Sequence, residues 1–85
     1  MNNEIGVTAG IKMRWEKGAQ YYEAQLYQDL FGYWILTRAW GKRGTHRGRV
    51  IHAACSSYNS GKKQLATVQE QQKQRGYVLV LKLAK

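Results

Sequence analysis

Residues 33–49 read YWILTRAWGKRGTHRGR, and this stretch decides the fold predicted for the chain. It opens with aromatic and β-branched residues, which favour a β-strand that ends at Trp40. Glycines at positions 41, 44 and 48 follow, and glycine lets a backbone approach its neighbours closely or adopt positive φ angles. Basic residues surround these glycines: Arg38, Lys42, Arg43, Arg47 and Arg49. The stretch therefore predicts a strand that delivers an aromatic side chain to a basic, glycine-rich loop suited to a polyanion.

Alternation of apolar and polar residues predicts further strands on both sides of this stretch. The predicted strands cover residues 11–16, 20–29, 33–40, 50–55 and 77–83. Gly32 supplies the turn between the second and third strands. In the last strand, Leu79, Leu81 and Leu83 are predicted to share one face with Tyr77.

Between the fourth and fifth strands the pattern becomes helical, over residues 58–75. One stripe of this helix carries Tyr58, Gly61, Leu65, Val68 and Gln72. Ser56 and Ser57 are candidates for its N-cap, and Gly76 is a natural stop. Hairpin-linked strands with a single helix predict an α+β fold, an antiparallel β-sheet of about five strands with one α-helix packed on a face. Residues 11–85 are predicted to form one domain behind a flexible tail of residues 1–10.

The charge of the chain is strongly positive and unevenly distributed. The 85 residues carry a formal net charge of +9, and the span between Asp29 and Glu70 contains seven Lys or Arg and no acid. Such a span indicates a basic face for nucleic acid, an anionic membrane or an acidic protein, although a solubilising surface is the alternative. The longest apolar run, residues 77–81, is too short to cross a bilayer, and the first twenty residues show no signal-peptide pattern. We therefore expect a cytoplasmic protein with no membrane partner.

Residue types that perform catalysis or bind metals are sparse. The single cysteine, Cys55, excludes an intramolecular disulfide and a multi-cysteine zinc motif, and we expect it to be a buried thiol. His46 and His52 are predicted on a loop and a strand, so that they do not converge with Cys55 on a metal ion. The acids are scattered, and no spacing suggests a pair of nucleophile and base. We expect no enzyme activity, no cofactor and no small-molecule substrate.

Several motifs along the chain occur together in one known family. They are YYE-x-QL at residues 21–26, DLFG at 29–32, W-G-[basic]-x-G-T at 40–45, G-R at 48–49 and RGY at 75–77. In this order and spacing the chain resembles a WGR domain from about Ile11 to Leu83. The resemblance implies a sheet-plus-helix module of the kind found alone in bacterial proteins and within eukaryotic poly(ADP-ribose) polymerases.

The resemblance also implies a function. In those polymerases the module binds broken DNA, its motif tryptophan packs against a nucleotide at the strand end, and it contacts neighbouring protein domains. The signature arginine is Lys42 here, and lysine lacks the planar fork of a guanidinium, so the interdomain role is the one that this change affects. Arg43 follows where the family usually has an aliphatic residue, which adds charge to the loop.

These observations give a candidate nucleic-acid-binding site. For four of its side chains a structural role is the alternative to a binding role. The site consists of Arg38, Trp40, Gly41, Lys42, Arg43, Arg47 and Arg49. Trp40 either packs in the core or offers a ring on which a base or sugar stacks. Arg38 shares a strand face with Trp40, and it either borders that ring or extends to solvent at a rim. Arg47 and Arg49 are either solvated charges or phosphate contacts.

Two functional interpretations follow. The first is a DNA-binding module that contacts phosphates with the basic loop and stacks Trp40 at an end, nick or distortion, with RNA or single strands as a variant. The sequence suggests no recognition helix, so little sequence specificity is expected. The second is a protein-docking module whose basic face binds an acidic partner.

Overall fold

The computed structural model describes residues 10–45 and 48–84. Its elements are β1 (Ile11–Lys17), β2 (Gln20–Gln28), β3 (Trp34–Lys42), β4 (Gly48–Cys55), α1 (Tyr58–Gln74) and β5 (Val78–Ala84). Five antiparallel strands with a single helix between the fourth and fifth confirm the predicted α+β fold. Apart from Gly10, the predicted tail lies outside the described residues. Within the described ranges, no helix has the length and apolar character needed to span a lipid bilayer.

The sheet has the strand order β4-β3-β2-β1-β5. Strands β1 to β4 follow one another as hairpins, whereas β5 returns after the helix and pairs with β1 at the opposite edge from β4. The β2–β3 turn is built as predicted, because Gly32 adopts a φ of 90°. Asp29 stabilises the same turn, since its Oδ1 accepts hydrogen bonds of 2.9 Å from the backbone N–H groups of Phe31 and Tyr33. This turn fixes the register of β2 against β3.

The two sides of the sheet differ in what covers them. On one side, here called the helix side, the core packs between the sheet and α1. The buried apolar residues of the sheet all lie on this side: Met13, Trp15, Tyr22, Ala24, Leu26, Leu36 and Cys55. No described helix packs on the other side, here called the open side. Because side chains alternate along a strand, successive residues face opposite sides of the sheet. Residues that are paired in the register face the same side.

Helix α1 docks through the stripe that its sequence predicts. Leu65 and Val68 are buried, at 5% and 4% exposure. Ser57 is the N-cap, and its Oγ accepts a 3.0 Å hydrogen bond from the backbone N–H of Ser60. Gly61 lies so close to the sheet that a Cβ atom there would be 2.5 Å from Cδ1 of Leu26. Because Gly61 has no side chain, the first turns of the helix pack directly on β2.

The two strands of the β3–β4 hairpin extend further than predicted, and the loop between them is correspondingly shorter. Strand β3 continues through Trp40 to Lys42, and β4 begins at Gly48, where Gly41 and Gly48 form the last pair of the ladder. The prediction that a strand ends at Trp40 is therefore wrong. Gly48 allows its strand to approach β3 closely, because a Cβ atom at this position would lie 2.8 Å from the carbonyl oxygen of Trp40. Of the three glycines, only Gly44 has a positive φ angle, of 77°.

The last strand departs from the predicted alternation. Leu79 pairs with Trp15 on the helix side, but a register shift follows and Leu81 pairs with Arg14 on the open side. The prediction that Leu79, Leu81 and Leu83 share one face is therefore wrong, because a β-bulge adds one residue and reverses the side that each later residue faces. Since β5 is an edge strand beyond the reach of α1, its aliphatic side chains stay exposed on both sides.

Candidate nucleic-acid interface

A single row of paired residues crosses the helix side of the sheet and ends at the candidate site. From β5 to β4 the row reads Leu79, Trp15, Tyr22, Trp40 and Arg49. Exposure rises toward β4, from 2% at Trp15 and 6% at Tyr22 to a half-buried Trp40 and an exposed Arg49. Trp40 therefore lies where the core meets the surface, with a cation next to it on the neighbouring strand.

The Trp40 ring is held by an aromatic neighbour. Its plane is nearly parallel to that of Tyr22, with an angle of 8° and ring centroids 5.6 Å apart. Tyr22 in turn makes edge contacts with Trp15 and Tyr77 at centroid distances of 6.0 and 6.5 Å. Trp40 thus combines features of both predicted alternatives, since it packs on the core and keeps part of its indole accessible.

A cleft of about 360 Å³ lies beside Trp40, between the sheet and the last turns of α1. Arg38 and Trp40 from β3 and Gln71 and Arg75 from the end of the helix form its walls. We call this space the Trp40 cleft. Arg38 was predicted either to border Trp40 or to extend to solvent, and it borders Trp40 here. Two guanidinium groups beside an indole make the cleft suited to an anionic ligand with a planar or ring-shaped part.

Charge is segregated between the two sides of the sheet. Among the described strand residues, the helix side carries five cations, Lys17, Arg38, Lys42, Arg49 and Lys82, and no acid. The open side carries Lys12, Arg14, Glu16 and Glu23. The excess of positive charge within the described strands therefore belongs to the helix side, and the open side is balanced.

The acids of the open side are bound by arginines. Arg14 donates to Glu16 at 3.0 Å and to Glu23 at 2.8 Å, and these hydrogen bonds, first the one to Glu23, raise the pKa of Arg14. Arg43 also turns toward this side: its Nη1 donates to the carbonyl oxygen of Gly18 at 3.2 Å and its Nε lies 3.6 Å from Glu16. Arg43 is therefore already partnered, unlike Arg38 and Arg49, which form no ion pair with a described acid.

The remaining predicted site residues fall in different places. Lys42 is exposed on the helix side at the end of β3. Gly41 belongs to the open-side row of the same strand, so its part in the predicted loop is limited to closing the β3–β4 ladder. Arg47 and His46 lie outside the described residues. The structure thus brings Arg38, Trp40, Lys42 and Arg49 together on one side and separates Arg43 and Gly41 from them.

Six of the eight residues that line the Trp40 cleft were not among the predicted site residues. These residues are Gln20, Tyr22, Gln71, Gln72, Arg75 and Tyr77. Gln72 is 1% exposed, and its Oε1 has no hydrogen-bond partner among the described residues. The backbone around the cleft is fixed by Lys17, whose Nζ donates to the carbonyl oxygen of Arg75 at 2.7 Å. Of the lining residues, Tyr22 belongs to the YYE-x-QL motif, Arg75 and Tyr77 belong to the RGY motif, and Gln72 lies on the predicted helix stripe. None of these signals indicated that the residues meet at Trp40.

Groups that could support other chemistry are separate from this interface. His52 lies on the open side, where its Nδ1 and Thr37 Oγ1 form a 2.9 Å hydrogen bond. Cys55 is buried on the helix side. Among the residues that the structure describes, no cluster of three or more His, Cys, Asp or Glu residues could hold a metal ion.

Comparison with protein families identifies the chain. The family model described as WGR domain matches residues 11–82. The chain belongs to the WGR family. In poly(ADP-ribose) polymerases the WGR domain is a non-catalytic, nucleic-acid-binding module. Comparison with curated proteins and comparison with solved structures each gave no match.

Proposed function

We propose that this WGR protein is a non-catalytic module that binds DNA at ends, nicks or distortions. The observation that carries the proposal is the segregation of charge described above: the side of the sheet whose described strand residues include cations and no acid is also the side of Trp40. A surface of one sign attracts a polyanion, and a half-exposed indole among cations adds a flat face for a nucleotide. Balanced charge on the open side gives no comparable reason for DNA to bind there.

In the proposed binding mode, cationic side chains contact phosphates and Trp40 stacks on a nucleotide. Arg38, Lys42 and Arg49 contact phosphates from the helix side, and the sequence predicts that Arg47 adds a further phosphate contact. Arg43 contributes less, because a phosphate must compete with Glu16 for its guanidinium. Trp40 packs against the last nucleotide of a strand, since only an end, nick or distortion exposes the ring of a nucleotide to it. Such contacts carry little sequence information.

The test of this proposal compares DNA with and without termini. We expect the protein to bind a linear duplex and a nicked minicircle more tightly than a covalently closed minicircle of the same sequence. Trp40→Ala should weaken binding to the linear duplex by about 1–3 kcal/mol and leave the closed circle almost unchanged. Competition against a labelled duplex, measured by fluorescence anisotropy, gives all three affinities.

Trp34→Ala is the matched control for this variant. Trp34 lies on the same strand and the same side, is also half-buried, and packs on Tyr58 with ring centroids 4.7 Å apart. It is six residues from Trp40, or about 20 Å along an extended strand. Both variants should lose stability, but only Trp40→Ala should lose preference for ends. Equal losses on linear and closed DNA from a folded Trp40→Ala protein would contradict end recognition.

An acidic protein partner for the same face is the second candidate, and the same experiment separates it from DNA. Polyglutamate carries the negative charge of an acidic protein without a ring that Trp40 could stack on. If DNA is the ligand, polyglutamate should compete weakly, and its competition should not change in Trp40→Ala. If polyglutamate competes as well as DNA at equal charge, the acidic partner is favoured instead.

A further inference from the structure

A second hollow lies beside the Trp40 cleft, along the helix. This hollow, of about 230 Å³, lies between α1 and strands β3 and β4. Arg38 and Gln71 line both spaces, so the two lie next to each other along α1 with these two residues between them. Trp40 and Arg75 lie at one end of this pair of spaces, and Gln64 and Thr67 lie at the other. We call the second space the helix groove.

The helix wall of this groove is polar and periodic. Gln64 and Gln71 are seven residues apart, which keeps them on one flank of α1 beside the buried stripe, and Arg75 continues this flank four residues on, in the Trp40 cleft. Residues 64 and 71 carry amides, each with donor and acceptor groups on one short side chain. The floor is the cross-strand pair Leu36 and Ala53, and Arg38 follows on β3 toward Trp40. The groove therefore offers amides, one cation and an apolar floor, and no acid lines it.

We propose that the helix groove binds a short single-stranded DNA extension that continues from the terminus at Trp40. This inference rests on the proposed function, because it extends the same strand beyond Trp40. Unpaired bases expose the hydrogen-bonding edges that a duplex conceals, and glutamine amides pair with such edges. Arg38, which lies between the two spaces, can contact a phosphate or stack on a base.

The combined length of the Trp40 cleft and the helix groove sets the length of the extension. Trp40 and Leu36 are four residues apart on β3, which corresponds to about 13 Å at the rise of a strand. A stacked nucleic-acid strand advances about 3.4 Å per nucleotide, so the two spaces accommodate up to about four nucleotides. Longer extensions pass the end of the helix groove near Gln64 and gain no further contact.

A buried amide at the entrance gives the cleft a place for a hydrogen-bond donor. Gln72 Oε1 has no partner among the described residues, and Gln72 lines the Trp40 cleft. Because this oxygen is buried, an amino group of an unpaired base reaches it only if the Gln72 side chain turns into the cleft, and it then supplies the missing hydrogen bond. A blunt duplex has its base amino groups paired and supplies such a donor less readily. This observation agrees with a preference for a terminus whose last bases are unpaired.

The experiment measures affinity as a function of extension length. Duplexes with an identical double-stranded part are made blunt or with 3′ or 5′ extensions of one to eight mixed nucleotides, and binding is followed by fluorescence anisotropy. We expect affinity to rise about tenfold for extensions of one polarity at least, as two amide hydrogen bonds would give. The rise should level off at about four nucleotides. Affinities that stay within twofold of the blunt duplex for both polarities would overturn the inference.

Variants on the two flanks of α1 assign the effect to the groove. The double variant Gln64→Ala, Thr67→Ala changes two side chains that line the helix groove but not the Trp40 cleft, so it should remove the gain from the extension and keep the affinity for the blunt duplex. Gln69→Ala changes an exposed glutamine that does not line the groove, and it should keep the gain. A gain that persists in the double variant would show that the extension lies elsewhere. If the blunt duplex itself does not bind, the proposed function fails, and this outcome is distinct from failure of the groove alone.

Discussion

Two arginines of the same hairpin illustrate how a charge acquires its role at the scale of a single residue. Arg49 is exposed beside Trp40 on the helix side and forms no ion pair with a described acid, whereas Arg43 lies 3.6 Å from Glu16 and donates to the carbonyl oxygen of Gly18. Arg49→Ala should therefore weaken DNA binding several-fold on every substrate, because it removes an available phosphate contact. Arg43→Ala should weaken binding less, since part of its charge is already compensated by Glu16. Parallel titrations of the two variants at one salt concentration test this order, and a larger loss from Arg43→Ala would contradict it.

Gln72 leads to a second prediction at this scale. A buried polar atom without a hydrogen bond costs roughly 1–3 kcal/mol, and Gln72 Oε1 is such an atom within the described residues. Gln72→Met keeps the approximate length of the side chain and removes the carbonyl, so we expect the free energy of unfolding to rise by about 1 kcal/mol. Gln69→Met on the exposed flank is the control and should change stability little. Urea denaturation measures both, and a clear loss of stability in Gln72→Met would show that the amide is satisfied in solution.

How much of the site could be predicted varies from residue to residue. The contact between Trp40 and Tyr22 follows from the turn at Gly32, because fixing the pair Gln28 and Trp34 fixes every later pair of the β2–β3 hairpin. The ion pair of Arg43 with Glu16 could not be predicted in this way. It depends on how the β3–β4 loop folds over the β1–β2 turn, and the alternation of residues carries no information about that.

At the scale of elements, the position of α1 depends on one close contact. A methyl group at position 61 would lie 2.5 Å from Cδ1 of the fully buried Leu26, so Gly61→Ala must displace the helix or the leucine. Alanine favours a helix over glycine by about 1 kcal/mol, but overpacking typically costs 1–3 kcal/mol. We therefore expect a net loss of stability on thermal unfolding. Lys63→Ala, at an exposed position two residues on, should be nearly neutral. A stabilised Gly61→Ala protein would contradict the close packing.

The elements were predictable in type and order, and less so where strands meet. Five strands and one helix followed from alternation, helical periodicity and caps, since each of these signals is local. The bulge between Leu79 and Leu81 was not predictable, because it depends on the pairing of β5 with β1 across more than sixty residues. The Trp40 cleft between β3 and the last turns of α1 was missed for a similar reason. It is set by packing at Gly61 and by the bond between Lys17 and Arg75, which are contacts between distant parts of the chain.

At the scale of the whole molecule, the segregated charge predicts a strong dependence of binding on salt. If three to five phosphates are contacted, the logarithm of the binding constant for duplex DNA should fall against the logarithm of salt concentration with a slope of about −3 to −4.5. Arg49→Ala should make this slope shallower by about one, whereas Trp40→Ala should leave it unchanged. Anisotropy titrations at several salt concentrations provide the slopes. Binding that is independent of salt would contradict a phosphate-contacting face.

The separation of cations onto one side of the sheet also has a kinetic consequence. A molecule with its excess charge on one side has an electric dipole, so the field of DNA turns it before contact and presents the helix side first. Fewer encounters then bring the open side against the DNA, where no complex forms. Association is therefore fast at low ionic strength, and it slows as salt screens the electrostatic attraction. Substitutions of helix-side cations should accordingly slow association, whereas substitutions that affect stacking on Trp40 should shorten the lifetime of the complex.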